Sequence, residues 1–365
     1  MRIALLSTPF IAVPPPRYGG TELVVAELAE GLAERGHRVT LFATGDSSVC
    51  VERRALYQHA QWPPQALADI NHVSWALHDV ASRDFDVVHA NSASALACWR
   101  ATQSPPLVYT LHHVREEELS SFYRFFTDAW YVAISHDQAR REIPLPHIEV
   151  IYHGLDPKKY EWTTSPSDYV CFVGRFTQVK GPHVAIDVAG AAGVPIRVAG
   201  EVHPQDAEFG SREMSHRLAA SHVTMLGSIG IQEKVPLLRD ARALLAPIAW
   251  NEPFGLALIE AMLSGCPVIA FPRGSVPELV EEGVTGFVVR DATEMREIVQ
   301  RGSILDEFDR ERCRARATER FGRDRMVRDY ERLYARAAAK GRTGARMKRG
   351  ARSSATRLLP NHHEG

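Results

Sequence analysis

The sequence lacks the features that mark several broad classes of protein. No stretch approaches the 18 apolar residues of a membrane-spanning helix, and the apolar run at residues 3–6 is too short for a secretory signal peptide. The five cysteines are scattered and form no CxxC pair, so we expect neither a disulfide framework nor a zinc site. These absences favour a soluble protein of the reducing cytoplasm.

The sequence also has no large excess of positive or negative charge. The 365 residues include 43 Lys and Arg against 44 Asp and Glu, so no global field attracts nucleic acid or a membrane. Basic residues predominate only at the carboxyl end, over 341–365, where apolar residues are few. We expect a disordered tail there, which is either simply solvated or in weak peripheral contact with anionic lipid.

Short apolar runs alternate with helical segments along most of the chain, a pattern typical of βαβ units and parallel sheets. The first series of predicted strands comprises residues 3–6, 38–43, 86–90, 107–111, 130–134 and 149–151. After a polar linker, the second series comprises residues 169–173, 195–199, 223–226, 244–247, 268–271 and 286–289. We therefore predict an α/β fold with two doubly wound, Rossmann-like domains, 1–155 and 156–321, facing each other across a cleft. The charged segment 310–340 is predicted to be one long helix.

One segment of the second domain has the layout of a phosphate site. An apolar strand over 243–249 is followed by the loop Trp-Asn-Glu-Pro-Phe-Gly and then by a helix over 256–263. The start of such a helix attracts anions, because its free amide groups point outward. Glu252 precedes the helix, and Glu260 lies roughly 7.5 Å along its axis from Gly255. A nucleoside diphosphate sugar fits this spacing, with Glu252 on the sugar hydroxyls and Glu260 on the ribose.

Two cations follow the first strand of the second domain. The strand ends at Gly174, and Arg175 and Lys180 lie five residues apart in the next loop. Guanidinium and ammonium groups can both neutralise the charge of a departing diphosphate, so Arg175 and Lys180 are candidates for binding it. The alternative interpretation is that they are two solvated cations of a surface loop.

These motifs resemble those of the retaining GT-B glycosyltransferases of family 4, the group 1 type. The resemblance rests on Glu-x7-Glu around Pro-Phe-Gly, on residues 261–270 and 276–289, and on the Gly-Arg…Lys-Gly element. It extends to about residue 340 and implies a GT-B fold, with a helix over about 322–340 packed back on the first domain. It also implies metal-independent, retaining transfer of a hexosyl unit from a nucleoside-diphosphate sugar, without a cofactor. UDP is the first choice of nucleotide and GDP the second. The sequence does not identify the acceptor, and a saccharide, a lipid-linked compound and a small molecule all stay open.

The resemblance assigns roles to individual residues. The catalytic set is His112, Arg175, Lys180 and Glu252, and the donor-binding set is Gly19, Gly20, Gly174, Pro253, Phe254, Gly255, Leu256 and Glu260. His112 ends a predicted strand and corresponds to the histidine near the reacting sugar carbon, while its neighbour His113 is a capping or packing residue. Gly19 and Gly20 belong to a loop that lies against the donor phosphates.

Other residues have two open interpretations. Ser135 lies at the cleft or only caps a helix, and His153 and Gly154 border the cleft or form a hinge. The DxD sequence at Asp84 and Asp86 begins a strand at its amino end, so we expect no metal site there.

Three further functions compete with glycosyl transfer. A nucleotide-sugar epimerase or hydrolase uses the same scaffold, and a catalytically silent sugar-nucleotide-binding subunit retains the same motifs. An NAD-dependent oxidoreductase is the least favoured, because the glycine fingerprint GxGxxG is absent.

Overall fold

The computed structural model describes residues 1–101 and 104–356, with the backbone alone for 342–356. In this part of the chain the first domain has seven parallel strands, ordered β3-β2-β1-β4-β5-β6-β7. The strands are β1 (Arg2–Leu6), β2 (Arg38–Phe42), β3 (Glu52–Arg54), β4 (Val87–Ala90), β5 (Leu107–Thr110), β6 (Trp130–Ala133) and β7 (Ile148–Val150). The helices are α1 (Gly20–Glu34), α2 (Ala66–Ala81), α3 (Ser94–Trp99), α4 (Glu117–Tyr123) and α5 (His136–Arg141).

The second domain has a parallel sheet of six described strands, ordered β10-β9-β8-β11-β12-β13. They are β8 (Val170–Val173), β9 (Ile196–Ala199), β10 (Val223–Gly227), β11 (Leu244–Ala246), β12 (Val268–Ala270) and β13 (Gly286–Val288). The first helices of this domain are α6 (Pro182–Ala192), α7 (Ala207–Phe209), α8 (Ser215–Leu218), α9 (Ile231–Asp240) and α10 (Leu256–Leu263). They are followed by α11 (Val276–Leu279), α12 (Ala292–Gln300), α13 (Gly302–Asp306), α14 (Arg310–Phe321) and α15 (Arg323–Thr356).

The predicted fold class is confirmed. Strands β4, β5 and β11 are wholly buried, as expected of parallel strands that are covered by helices on both faces. In each sheet the strand order reverses once, between β1 and β4 and between β8 and β11. Ligands of such sheets bind beyond the strand ends at these reversals, so the loops after these four strands are where a site is expected.

The structure differs from the sequence-based expectation at β3 and at Gly322. β3 was not predicted, because its residues Glu52–Arg54 are charged and exposed and carry no apolar signal. The segment 310–340 is two helices rather than one, since the backbone of Gly322 is extended and separates α14 from α15.

The carboxyl-terminal helix α15 packs on the first domain. Its buried residues Met326, Val327, Tyr330 and Tyr334 share a hydrophobic core with α1 and the first sheet. It continues to Thr356, across much of the tail that was predicted to be disordered. The rest of that predicted tail, with its lipid contact, lies outside the described residues. None of the helices within them has the length and apolar character needed to cross a membrane.

The contacts that join the two domains include hydrogen bonds where the chain crosses between them and the carboxylate of Glu278. The amide of Leu155 donates to Phe321 O at 3.0 Å, and Leu155 O accepts from the amide of Arg323 at 2.8 Å. On α11, the Glu278 carboxylate accepts from the amides of His136 and Asp137 at the start of α5, each at 2.8 Å. The two domains are therefore held in a definite arrangement around the cleft.

Candidate active site

A cleft of about 340 Å³ lies between the carboxyl edges of the two sheets. Thirteen of the fifteen predicted site residues line it. These are Gly19, Gly20, His112, His153, Gly174, Arg175, Lys180, Glu252, Pro253, Phe254, Gly255, Leu256 and Glu260. The first domain contributes the loop before α1 and the end of β5, and the second contributes the loops after β8 and β11.

Helix α10 begins in the cleft at Gly255, whose backbone is left-handed with φ 94° and ψ 68°. No side chain of the described residues caps this start, so its first amide groups are free to bind an anion. The preceding loop is fixed from outside, since Ser275 Oγ donates to Phe254 O at 2.6 Å and the amide of Ser275 donates to Glu252 O at 2.9 Å.

Glu252 and Lys180 meet inside the cleft. Glu252 is 6% exposed, and its Oε2 accepts from Lys180 Nζ at 2.5 Å and from Trp250 Nε1 at 2.7 Å. The ammonium group also lies 5.2 Å from the centre of the Trp250 ring. Lys180 and Glu252 thus form an ion pair that lines the cleft.

The loops that carry Glu252 and Lys180 are joined by a backbone hydrogen bond and pack closely against each other. The amide of Ala249 donates to Val179 O at 2.9 Å. Gly181 has φ 75°, and a Cβ there would lie 2.3 Å from Pro247 O. Only glycine permits this close approach of the two loops.

Glu260 has partners that no local sequence signal indicated. It is 3% exposed, and its Oε1 lies 2.6 Å from Lys234 Nζ and accepts from Tyr160 OH at 3.1 Å. Burial, followed by the charge of Glu260, raises the pKa of Tyr160 well above its usual value, so the phenol remains a donor.

Arg175 lines the same cleft, and its Nε is buried without a hydrogen-bond partner in the described part of the chain. A buried donor without a partner costs about 1–3 kcal/mol, so folding alone does not favour this arrangement. Arg175 therefore adds a positive charge to the lining of the cleft.

His112 projects from the first domain at the end of β5. Its Nε2 lies 2.8 Å from Asn91 Oδ1, while Asn91 Nδ2 donates to Leu6 O at 2.9 Å. Because the amide oxygen of Asn91 faces the ring, Nε2 carries the proton and Nδ1 is the basic nitrogen. Burial, and to a lesser degree the charge of His113, lowers the pKa of His112 to about 3. The imidazole is therefore neutral near pH 7.

His153 connects the two walls of the cleft. Its ring stacks on His112 with centroids 5.5 Å apart and meets the Phe254 ring edge-on at 4.9 Å. Burial, with smaller contributions from His112 and Arg325, lowers its pKa well below the usual value. A neutral pair of imidazoles thus lies opposite the start of α10.

Two predicted residues lie outside the cleft lining. Ser135 caps α5, where its Oγ accepts from the amide of Gln138 at 3.1 Å. A Cβ on Gly154 would lie 2.8 Å from both Gly322 O and Met326 Cβ, so this glycine serves the packing of the domain connection. The DxD sequence lies at the amino end of β4, where Asp84 pairs with Arg2.

Sequence reasoning missed four residues of the site: Asn91, Tyr160, Lys234 and Trp250. Asn91 directly follows β4, and Trp250 begins the loop that carries Glu252, so attention to the loops after strands would have found both. Tyr160 and Lys234 reach Glu260 through tertiary packing, and the sequence carries no local signal for them.

Two family models match the chain. The model for glycosyl transferases group 1 matches residues 158–320, and that for glycosyltransferase family 4 matches residues 18–159. Together they span 18–320, which includes every predicted site residue.

Individual proteins are similar over nearly the whole length. N-acetyl-alpha-D-glucosaminyl L-malate synthase of Bacillus anthracis is 25% identical, over 87% of this chain and 94% of the relative. The crystal structure of AviGT4, a glycosyltransferase involved in avilamycin A biosynthesis, has 24% identity and a TM-score of 0.71, covering 93% of this chain and 98% of that one. Anabaena HepE in complex with UDP-glucose has 22% identity and a TM-score of 0.70, covering 92% and 99%. The chain belongs to the group 1 glycosyltransferases of GT-B fold.

Proposed function

We propose that the protein transfers a hexosyl unit from a nucleoside-diphosphate sugar to an acceptor, with retention at the anomeric carbon and without a metal ion. One observation carries the proposal. The uncapped start of α10 and the side chain of Arg175 line the same cleft. A diphosphate bound there would accept hydrogen bonds from both.

The two carboxylates support the position of the rest of the donor. Both described partners of Glu252 bind its Oε2, and both partners of Glu260 bind its Oε1. Within the described residues, each carboxylate therefore keeps one oxygen free to accept from hydroxyl groups. Glu252 would bind the sugar in this way and Glu260 the ribose.

Lys180 acts on the leaving group. The ammonium group has three protons, and its described hydrogen bond to Glu252 uses one of them. The others would bind phosphate oxygens and stabilise the charge that develops as the glycosidic bond breaks. With Arg175 and the helix start, Lys180 supplies the positive charge that a metal ion supplies in other transferases.

The state of His112 supports retention rather than inversion. A general base works best with a pKa near the working pH, and the pKa of His112 is about 3. This makes it a poor base for the acceptor hydroxyl. We infer that the departing phosphate takes the proton, which requires the acceptor to approach on the same face as the leaving group. His112 then orients the sugar at the reacting centre.

The choice of UDP is supported by the similarity to HepE, whose structure contains UDP-glucose. GDP is the second choice.

A thermal-shift screen against nucleoside diphosphates tests the donor. A ligand at 100 times its Kd adds about 2.7 kcal/mol to stability, so UDP should raise the melting temperature clearly. A response to no nucleoside diphosphate would contradict the proposal. Turnover of the nucleotide sugar to free or epimerised sugar, with no transfer to any of a broad panel of acceptors, would favour a hydrolase or epimerase.

A further inference from the structure

We propose that Tyr18, Trp62 and His203, together called the aromatic rim, form the acceptor subsite and take the ring of a neutral saccharide. This inference rests on the proposed function, since it concerns the second substrate of the same cleft.

The aromatic rim is assembled from three loops, each beyond the carboxyl end of a strand. Tyr18 follows β1, Trp62 follows β3, and His203 follows β9 of the other domain. The Tyr18 and His203 ring centroids lie 5.9 Å apart, and those of Trp62 and His203 lie 6.1 Å apart. Both pairs meet nearly at right angles, so the two first-domain rings converge on one imidazole that lines the cleft.

The two first-domain rings are unusually open to solvent. Tyr18 is 49% exposed and Trp62 is 56% exposed, whereas His203 is 9% exposed. Single exposed apolar residues need no explanation, but two large exposed rings that both contact one imidazole of the cleft lining indicate a contact surface. Tyr and Trp give a large contact area at a low cost in conformational entropy.

The polar groups around the rings suit a sugar. A pyranose has a C–H face, which buries well against a flat ring, and a hydroxyl edge, which needs donors and acceptors. Arg17, which precedes Tyr18 in the chain, and Glu201, whose Oε1 lies 4.0 Å from His203 Nε2, line the cleft and provide both. One cation is balanced by one anion, so the surroundings favour a neutral acceptor over a phosphorylated one.

The aromatic rim is assigned to the acceptor rather than to the nucleobase because of where its rings originate. Apart from His112 at the sugar and the loop of Gly19 and Gly20 at the phosphates, the groups proposed to hold the donor belong to the second domain: Arg175, Lys180, Glu252, Glu260 and the start of α10. Two of the three rings belong to the first domain, on the wall opposite Glu252 and Glu260. A subsite that spans the cleft in this way brings the acceptor towards a donor held on the other wall.

Ligand-observed NMR titration with methyl β-D-glucopyranoside tests the proposal, because all ring hydroxyls of this probe are equatorial and both of its C–H faces are open. Mannitol, a polyol without a ring, is the matched ligand control. Single-ring ligands bind in the millimolar range, so about 10 mM probe is sufficient. The wild type should bind the glucoside and not mannitol.

The variants are Trp62→Ala, Trp62→Phe and, as a matched control, Phe125→Ala, which removes another exposed ring of the first domain. Loss of one aromatic contact should weaken glucoside binding about 5- to 10-fold in Trp62→Ala, while Trp62→Phe and Phe125→Ala retain it. UDP affinity, measured by calorimetry, should be the same in all four proteins.

Three results would overturn the proposal. The first is no binding of the glucoside to the wild type, and the second is equal binding by the wild type and Trp62→Ala. The third is weaker UDP binding by Trp62→Ala, which would assign the aromatic rim to the nucleobase. Failure of UDP to bind even the wild type would instead refute the proposed donor site, so the two failures are distinguishable.

Discussion

Replacing Arg175 by Ala should lower activity and raise stability in the same protein. The guanidinium group is expected to stabilise the departing diphosphate, and loss of one such donor typically reduces kcat by about 10²–10³. Its Nε is buried and has no partner in the described structure, and such a group costs about 1–3 kcal/mol. Since the side chain is only half-buried, we expect a gain near the lower end of that range, about 1 kcal/mol.

Initial rates with the nucleotide sugar and the urea midpoint of unfolding measure the two effects. Arg175→Lys keeps the charge but not the planar fork, and it should recover only part of the rate. Arg212→Ala is the control, because Arg212 is an exposed arginine of the same domain. Full activity of Arg175→Ala would refute its role at the diphosphate. A lower midpoint would show that Arg175 is a structural residue instead.

Three further predictions concern other parts of the site. Glu260→Gln keeps the shape of the side chain and the contact with Tyr160 but removes the charge. It should raise the Kd of UDP about 10-fold, measured by calorimetry, with kcat little changed. Unchanged UDP affinity would exclude the role of Glu260 at the ribose. Glu278→Ala removes the carboxylate that joins α11 to α5. Small-angle X-ray scattering should then show a larger radius of gyration than for the wild type. An identical radius would show that this contact does not hold the two domains together. Burial lowers the pKa of both His89 and His112 to about 3, below the unfolded value of about 6.5, so their neutral forms favour the folded state at neutral pH. Stability should therefore fall as the pH drops from about 6.5 towards 3, and a urea midpoint equal at pH 7 and pH 4.5 would contradict this.

The sequence predicted those parts of the site that are local in the chain. Glu252 and Glu260 lie on one strand–loop–helix unit, and Arg175 and Lys180 lie on one loop, so spacing alone indicated their chemistry. Lys234 pairs with Glu260 because α9 packs beside α10, and no pattern of spacing reports such a contact.

The fold, like the site, was predictable where the signal is local in the chain and not where it depends on tertiary contacts. Apolar alternation identified twelve of the thirteen described strands, because these segments are apolar and most of them are buried. It missed β3, whose pairing with β2 depends on backbone hydrogen bonds and not on side-chain burial. The break at Gly322 was missed for a related reason, since helical periodicity continues on both sides of it and the kink follows from the pairing of Leu155 with Gly322.

A crystal structure of the protein with UDP would test the account most directly. The account predicts the diphosphate at the start of α10, within hydrogen-bonding distance of the Leu256 amide and Arg175, with the ribose on Glu260 Oε2. A nucleotide bound elsewhere, or one that leaves the start of α10 and Arg175 without contacts, would contradict it.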